Sequence, residues 1–103
     1  MTKPPITLNL HNYSIKYRVH ALKRMFERNI NDSDVSTVLE HGEVINEYPD
    51  DTPYTSKLFK GVVSGRILHI VIAENESDKE IIVITVYEPD PNLWDSEFRR
   101  KLK

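Results

Sequence analysis

The chain has 103 residues, 39% of them hydrophobic and 29% charged, with a formal net charge of −2 and no cysteine. A single domain over residues 1–103 is expected, because a chain of this length has room for only one core. The lack of cysteine excludes disulfide frameworks, thiolate metal sites and cysteine nucleophiles. No apolar run approaches the roughly 18 residues that a membrane helix needs, and no signal-peptide pattern opens the sequence. A cytoplasmic location is therefore expected.

The charges are unevenly distributed along the chain. Five basic residues and one acid, Glu27, fall between Tyr13 and Arg28, and four more basic residues fall between Arg99 and Lys103. The pI of about 6.1 is low for a dedicated nucleic-acid binder. A near-neutral total can nevertheless hide a basic face, and the local face is what a phosphate backbone would meet.

The first elements in chain order are a strand and a helix. Residues 1–5 are expected to form a loose lead-in, and alternating residues over Ile6–Leu10 and Tyr13–Tyr17 predict one short strand. A helical pattern begins near Val19. Its apolar side is predicted to comprise Val19, Leu22, Met25 and Phe26. The opposite side carries a slightly slanted stripe of His20, Arg24 and Arg28.

A second helix is predicted directly after a tight turn, which makes the pair an αα-hairpin. Asn31 can cap this helix, and Asp34 places negative charge at the positive end of the helix dipole. The apolar side is predicted to comprise Val35, Val38 and Leu39. Gly42 provides a C-terminal stop.

The pattern then changes to period two, which predicts four strands. Their expected bounds are Glu43–Tyr48, Lys57–Val63, Arg66–Glu74 and Glu80–Glu88. The last two are apolar on both sides, so both sheet faces should be covered, one by the helices and the other by a partner, a dimer mate or the terminal segments. A final helix is predicted with Leu93, Trp94, Phe98 and Leu102 facing inward. The fold class is α+β, in the order β-α-α-β-β-β-β-α, with a mostly antiparallel sheet.

Metal and cofactor motifs are missing from the sequence. The four histidines occur singly, without the HxxxH or HExxH spacing that puts two ligands on one helix face. The three glycines form neither a GxGxxG nor a Walker pattern. No metal or cofactor is therefore expected.

The stripe of His20, Arg24 and Arg28 is the strongest candidate for chemistry. RNA cleavage without a metal needs a base, an acid and cations around the phosphate. Histidine can act as either the base or the acid, and arginine presents a fork of donors to phosphate oxygens. In the alternative interpretation, the stripe is only the polar side of a surface helix, with Glu27 a neighbouring surface charge.

Further candidates lie in the strands and near the C-terminus. His69 is either a hydrogen-bonded core residue or a site residue. Tyr87 is either a general acid or stacking platform, or an aromatic residue at the rim of the fold. Arg66 joins them as a second-rank candidate. The candidates for RNA-backbone contacts, which could equally be solvated charges, are Lys57, Arg99 and Arg100.

Taken together, four segments resemble the small bacterial family DUF4258: VHALKRMFERNI, DVSTVLEHGEVINEYPDD, GRILHIVIAE and IIVITVYEPDPNLW. The resemblance runs from about Tyr17 to Trp94. Its most characteristic element is HAxxRMxxR, matched from His20 to Arg28, and TVYEPD, Thr85–Asp90, is the second.

That family is similar in element order to the RelE and BrnT toxins of bacterial toxin–antitoxin pairs. The resemblance implies a small α+β ribonuclease-like fold, a cognate antitoxin, and metal-independent cleavage of messenger RNA, in some cases on the ribosome. The expected function is thus that of a RelE/BrnT-like endoribonuclease or an inactive relative. The alternatives are a non-catalytic module that binds protein or RNA, and a homodimer formed through the sheet. The acidic Tyr48–Asp51 loop and the slightly negative net charge depart from strongly basic RelE-like toxins.

Overall fold

The computed structural model describes residues 12–102. Its elements are β1 (Ser14–Tyr17), α1 (Val19–Arg28), α2 (Asp32–His41), β2 (Glu43–Tyr48), β3 (Ser56–Val63), β4 (Arg66–Asn75) and β5 (Glu80–Tyr87). The predicted lead-in of residues 1–5 and the Ile6–Leu10 part of the first strand lie outside the described residues. No helix within 12–102 has the length and apolar character needed to cross a membrane.

The five strands form one sheet in the order β1-β5-β4-β3-β2. β1 pairs with β5 in parallel, and the other three pairings are antiparallel. The two helices connect β1 at one edge to β2 at the other. The predicted α+β class with a mostly antiparallel sheet is therefore confirmed.

The turn between the two helices follows from local chemistry. Asn29 ends α1 in the left-handed conformation, with φ of 55°, which asparagine tolerates better than most residues. Asn31 then starts α2: its side chain accepts from the Asp34 N–H at 2.9 Å, and the Asp34 carboxylate accepts from the Asn31 N–H at 3.0 Å. This reciprocal pair is a capping box.

Both helices pack on one face of the sheet, α1 against β5 and α2 against β3. The predicted apolar side of α2 is buried, since Val35, Val38 and Leu39 are at most 1% exposed. Gly61 on β3 lets α2 come close, because a Cβ at that position would lie 2.8 Å from a Val38 methyl group. This face of the sheet and the two helices form the core.

The prediction of which α1 residues face inward is largely wrong. Ala21 and Met25 are buried, but Val19, Leu22 and Phe26 are 78%, 49% and 90% exposed. The helix rests on the sheet through its smallest side chain, Ala21, and through Met25 one turn later. That contact rotates the remaining apolar residues into solvent.

The predicted C-terminal helix is also wrong. Residues 89–102 form turns and a short hairpin, closed by a bridge between Trp94 and Lys101. The Asp95 carboxylate accepts from the backbone N–H groups of Glu97 and Arg99, and such bonds compete with helix formation.

This C-terminal hairpin, residues 93–102, lies on the sheet face opposite the helices. Trp94 is 7% exposed and Phe98 is half-buried. Leu93 and Leu102 were also predicted to face inward, but they are 58% and 59% exposed. A partner, a dimer mate or the terminal segments were predicted to cover the second face of the sheet. In the structure the C-terminal segment covers part of it.

Candidate functional site

The predicted stripe on α1 is fully accessible. His20, Arg24 and Arg28 are all exposed on successive turns, while Ala21 and Met25 fix the helix to the sheet. The Arg24 guanidinium lies 3.6 Å from the Glu27 carboxylate, and both side chains are about half exposed. An ion pair of this kind contributes little to stability, so it leaves Arg24 free to exchange partners.

Arg66 is the one second-rank candidate that reaches α1. Its guanidinium donates to the carbonyl oxygens of Arg28 at 2.7 Å and Asn29 at 3.1 Å, and it pairs with Glu88 at 3.0 Å. A cation at the carbonyl end of a helix interacts favourably with the helix dipole. Arg66 therefore anchors the end of the helix that carries the stripe.

His69 lies on the opposite face of the sheet from the stripe. Its neighbours Leu68 and Ile70 belong to the core beneath the helices, so alternation along β4 directs His69 toward the C-terminal hairpin. The imidazole is fully buried, with Trp94 edge-to-face at 4.4 Å between ring centroids.

Both ring nitrogens of His69 have hydrogen-bond partners. Nε2 lies 2.8 Å from the Phe98 carbonyl oxygen, and Nδ1 lies 3.1 Å from the Tyr87 hydroxyl. Burial lowers the pKa of His69, and the nearby Lys60 charge lowers it further, against the opposing effect of the Phe98 hydrogen bond. In the structure, His69 is therefore the hydrogen-bonded core residue of the two alternatives. Tyr87 donates the hydrogen bond to Nδ1, and burial raises the pKa of the Tyr87 hydroxyl.

Two of the three predicted RNA-backbone residues are held in ion pairs. The Lys57 ammonium lies 3.1 Å from Glu74, and only 21% of the Lys57 side chain is exposed. Arg99 pairs with Glu43 at 2.7 Å and with Glu97. Within residues 12–102, Arg100 forms no ion pair, and its side chain is exposed.

The sequence analysis missed a groove between β2 and the C-terminal hairpin. Its volume is about 470 Å³, and its lining is Ile45, Asn46, Tyr48, Leu58, Trp94, Arg99, Arg100 and Lys101. These residues come from the paired strands β2 and β3 and from the C-terminal hairpin, more than 35 residues further along the chain. The one sequence signal for their association is the opposite charge of Glu43 and Arg99, which is too common a pattern to identify a contact.

The described residues therefore present two separate polar surfaces. The α1 stripe can bind anions through its two arginines, and it contains one imidazole, His20. His69 and Tyr87, the second-rank candidates that were to complete this site, lie on the opposite face of the sheet. Among residues 12–102 no three histidine or carboxylate side chains lie close enough together to hold a metal ion.

Comparison with family models identifies the family of the chain. Residues 17–88 match the model of the domain of unknown function DUF4258, a span that covers more than half of the chain. The protein belongs to the DUF4258 family. The matched span contains the stripe, both helices and all of β2–β5, and it ends before the C-terminal hairpin. Neither the curated proteins nor the solved structures include a match.

Proposed function

We propose that this DUF4258 protein is a RelE/BrnT-like domain that binds RNA through the α1 stripe. The observation that carries the proposal is the exposure of His20, Arg24 and Arg28 along one side of a helix anchored by buried residues. Two arginines one turn apart can each donate two hydrogen bonds to a phosphate, and a rigid helix fixes their separation. The element order β-α-α followed by antiparallel strands is consistent with the same proposal.

RNA binding has more support than RNA cleavage. Metal-independent cleavage needs one group that takes a proton and another that gives one. His20 can do either, but His69 is buried and hydrogen-bonded on the other side of the sheet, and Tyr87 donates to it. Endoribonuclease activity through His20 stays a prediction, and an inactive relative that only binds RNA is its alternative.

The first experiment measures binding of a labelled single-stranded RNA by fluorescence anisotropy. Arg24→Ala/Arg28→Ala should weaken binding about tenfold or more, because each lost phosphate contact removes a charge-assisted hydrogen bond. Lys16→Ala/Lys79→Ala is the matched control, since it removes two positive charges outside the stripe. An equal loss in both variants would show diffuse electrostatic attraction and contradict the proposal.

A second experiment separates binding from cleavage. Messenger RNA ends are mapped by primer extension after brief induction of the wild type and of His20→Gln in bacteria. New 5′ ends that disappear in His20→Gln, while anisotropy shows unchanged binding, would assign proton transfer to His20. No new ends with either protein, together with intact binding, would identify a non-catalytic RNA-binding module.

An exposed apolar edge on α1 favours a second candidate function, the binding of an acidic protein such as a cognate antitoxin. Val19, Leu22 and Phe26 form this edge, and Lys23 lies on the same side of the helix. Phe26→Ser should abolish co-purification of an acidic partner and leave RNA affinity unchanged. Sedimentation at several concentrations tests the homodimer separately: a strict monomer would exclude it.

A further inference from the structure

The groove between β2 and the C-terminal hairpin combines an aromatic side chain with two available cations. Tyr48 lines the groove, and its hydroxyl accepts from the Asn46 amide at 3.3 Å. Trp94, which is 7% exposed, also lines the groove, and the Lys101 ammonium lies 6.0 Å from the centre of the Trp94 ring. The groove volume of about 470 Å³ falls within the roughly 300–1,000 Å³ of small-ligand sites.

The three cations of the groove differ in their availability. Arg99 is neutralised by Glu43 and Glu97, so it holds the hairpin against β2. Arg100 and Lys101 are exposed and form no ion pair within the described chain. An anion entering the groove would thus meet Arg100 and Lys101 without first displacing a carboxylate.

We infer that this groove binds a nucleotide unit, with the base on the Tyr48 ring and the phosphate between Arg100 and Lys101. Aromatic side chains next to cations are the common features of sites for single-stranded nucleic acids, because every base offers a face for stacking and every nucleotide a phosphate. The inference does not depend on the α1 stripe, which lies on the other side of the sheet. The nucleotide is either a free monophosphate or one unit of an RNA strand.

The indole N–H of Trp94 gives a direct report on the groove, because the chain has a single tryptophan. We expect its NMR resonance to shift on titration with uridine 5′-monophosphate or with a ten-nucleotide oligouridylate. A shift with both identifies a site that accepts free nucleotides. A shift with the oligonucleotide alone identifies a site for RNA strands.

Variants test the two halves of the site. Arg100→Ala/Lys101→Ala should lower the affinity about tenfold or more through loss of the phosphate contacts. Tyr48→Ala should lower it about tenfold, whereas Tyr48→Phe should keep it, because stacking needs the ring and not the hydroxyl. The control Lys16→Ala/Lys79→Ala removes the same charge far from the groove and should bind as the wild type does.

Three results would overturn the inference. One is the lack of any Trp94 shift with either ligand. Another is a shift that inorganic phosphate reproduces and that Tyr48→Ala leaves unchanged, since the base would then play no part. The third is an equal loss of affinity in the charge control. Arg24→Ala/Arg28→Ala distinguishes this site from the stripe, because it should keep the Trp94 shift even if the proposed function fails.

Discussion

His69 shows how far the chemistry of one residue can be derived from its contacts. A carbonyl oxygen can only accept, so the Nε2 atom facing Phe98 carries the proton and Nδ1 accepts from the Tyr87 hydroxyl. Protonation of Nδ1 would require the Tyr87 hydroxyl to accept instead of donate, and it would place a positive charge in a buried site near Lys60. The sequence favoured a core histidine from its apolar strand, but it could not identify either partner, because Phe98 is 29 residues away.

The lowered pKa of His69 predicts a fall in stability with acidification. The unfolded chain takes up the His69 proton near pH 6.5, the ordinary value, while the folded chain takes it up only at lower pH. Between these two values the unfolded state binds more protons, so the free energy of unfolding decreases as the pH falls. Urea denaturation between pH 8 and pH 5 should show this decrease for the wild type. His69→Gln, although less stable throughout, should show a shallower one, and an equal slope in both proteins would contradict the role of His69.

At the scale of elements, the strands could be predicted and the final helix could not. β2 spans Glu43–Tyr48, as the alternation predicts, and the bounds of the other three strands after the helices are within one residue of the prediction. The last segment has apolar residues at helical spacing, but the Asp95 carboxylate bonds to backbone N–H groups and Phe98 has a φ of 57°. The spacing of apolar residues does not show that a side chain competes with the helix for these backbone hydrogen bonds.

The side of α1 that packs on the sheet could not be predicted from the sequence, for a different reason. Ala21, Leu22, Met25 and Phe26 form a wide apolar arc, and either half of it could face a sheet. The structure buries the half with Ala21, whose small side chain allows close packing on β5. Only the tertiary contact decides between the halves.

The close packing of α2 on β3 predicts that a side chain at Gly61 destabilises the fold. A Cβ at Gly61 would lie 2.8 Å and 2.9 Å from the two Val38 methyl groups and 3.1 Å from its Cβ. Valine is stiff about χ1, so the helix itself must move. Gly61→Ala should therefore lower the free energy of unfolding by about 1–3 kcal/mol, measured by urea denaturation. The double variant Val38→Ala/Gly61→Ala should be more stable than additivity predicts, and strictly additive losses would contradict this contact.

At the scale of the whole molecule, the net charge is a poor guide to what the surface attracts. The net charge of −2 combines opposite contributions from different regions. α1 carries Lys23, Arg24 and Arg28 against Glu27, whereas Glu43–Asp51 carries four acids and no lysine or arginine. Screening limits exposed charges to a range of about 8 Å at physiological salt, so an RNA strand on α1 would respond mainly to the arginines.

The salt dependence of RNA binding tests whether local or total charge governs recognition. Log affinity falls as log salt rises, and each phosphate that a protein cation neutralises on a single strand makes the slope of this fall steeper by about 0.7. Arg24→Ala/Arg28→Ala should therefore reduce that slope by about 1.4, measured by anisotropy between 50 and 200 mM salt. Asp50→Asn/Asp51→Asn changes the net charge by the same amount in the opposite direction, on an exposed loop outside the stripe. It should leave the slope unchanged, because no cation that contacts phosphate is added or lost. A slope that followed net charge in both variants would mean that the molecule attracts RNA as a whole and that the α1 stripe has no special part in binding.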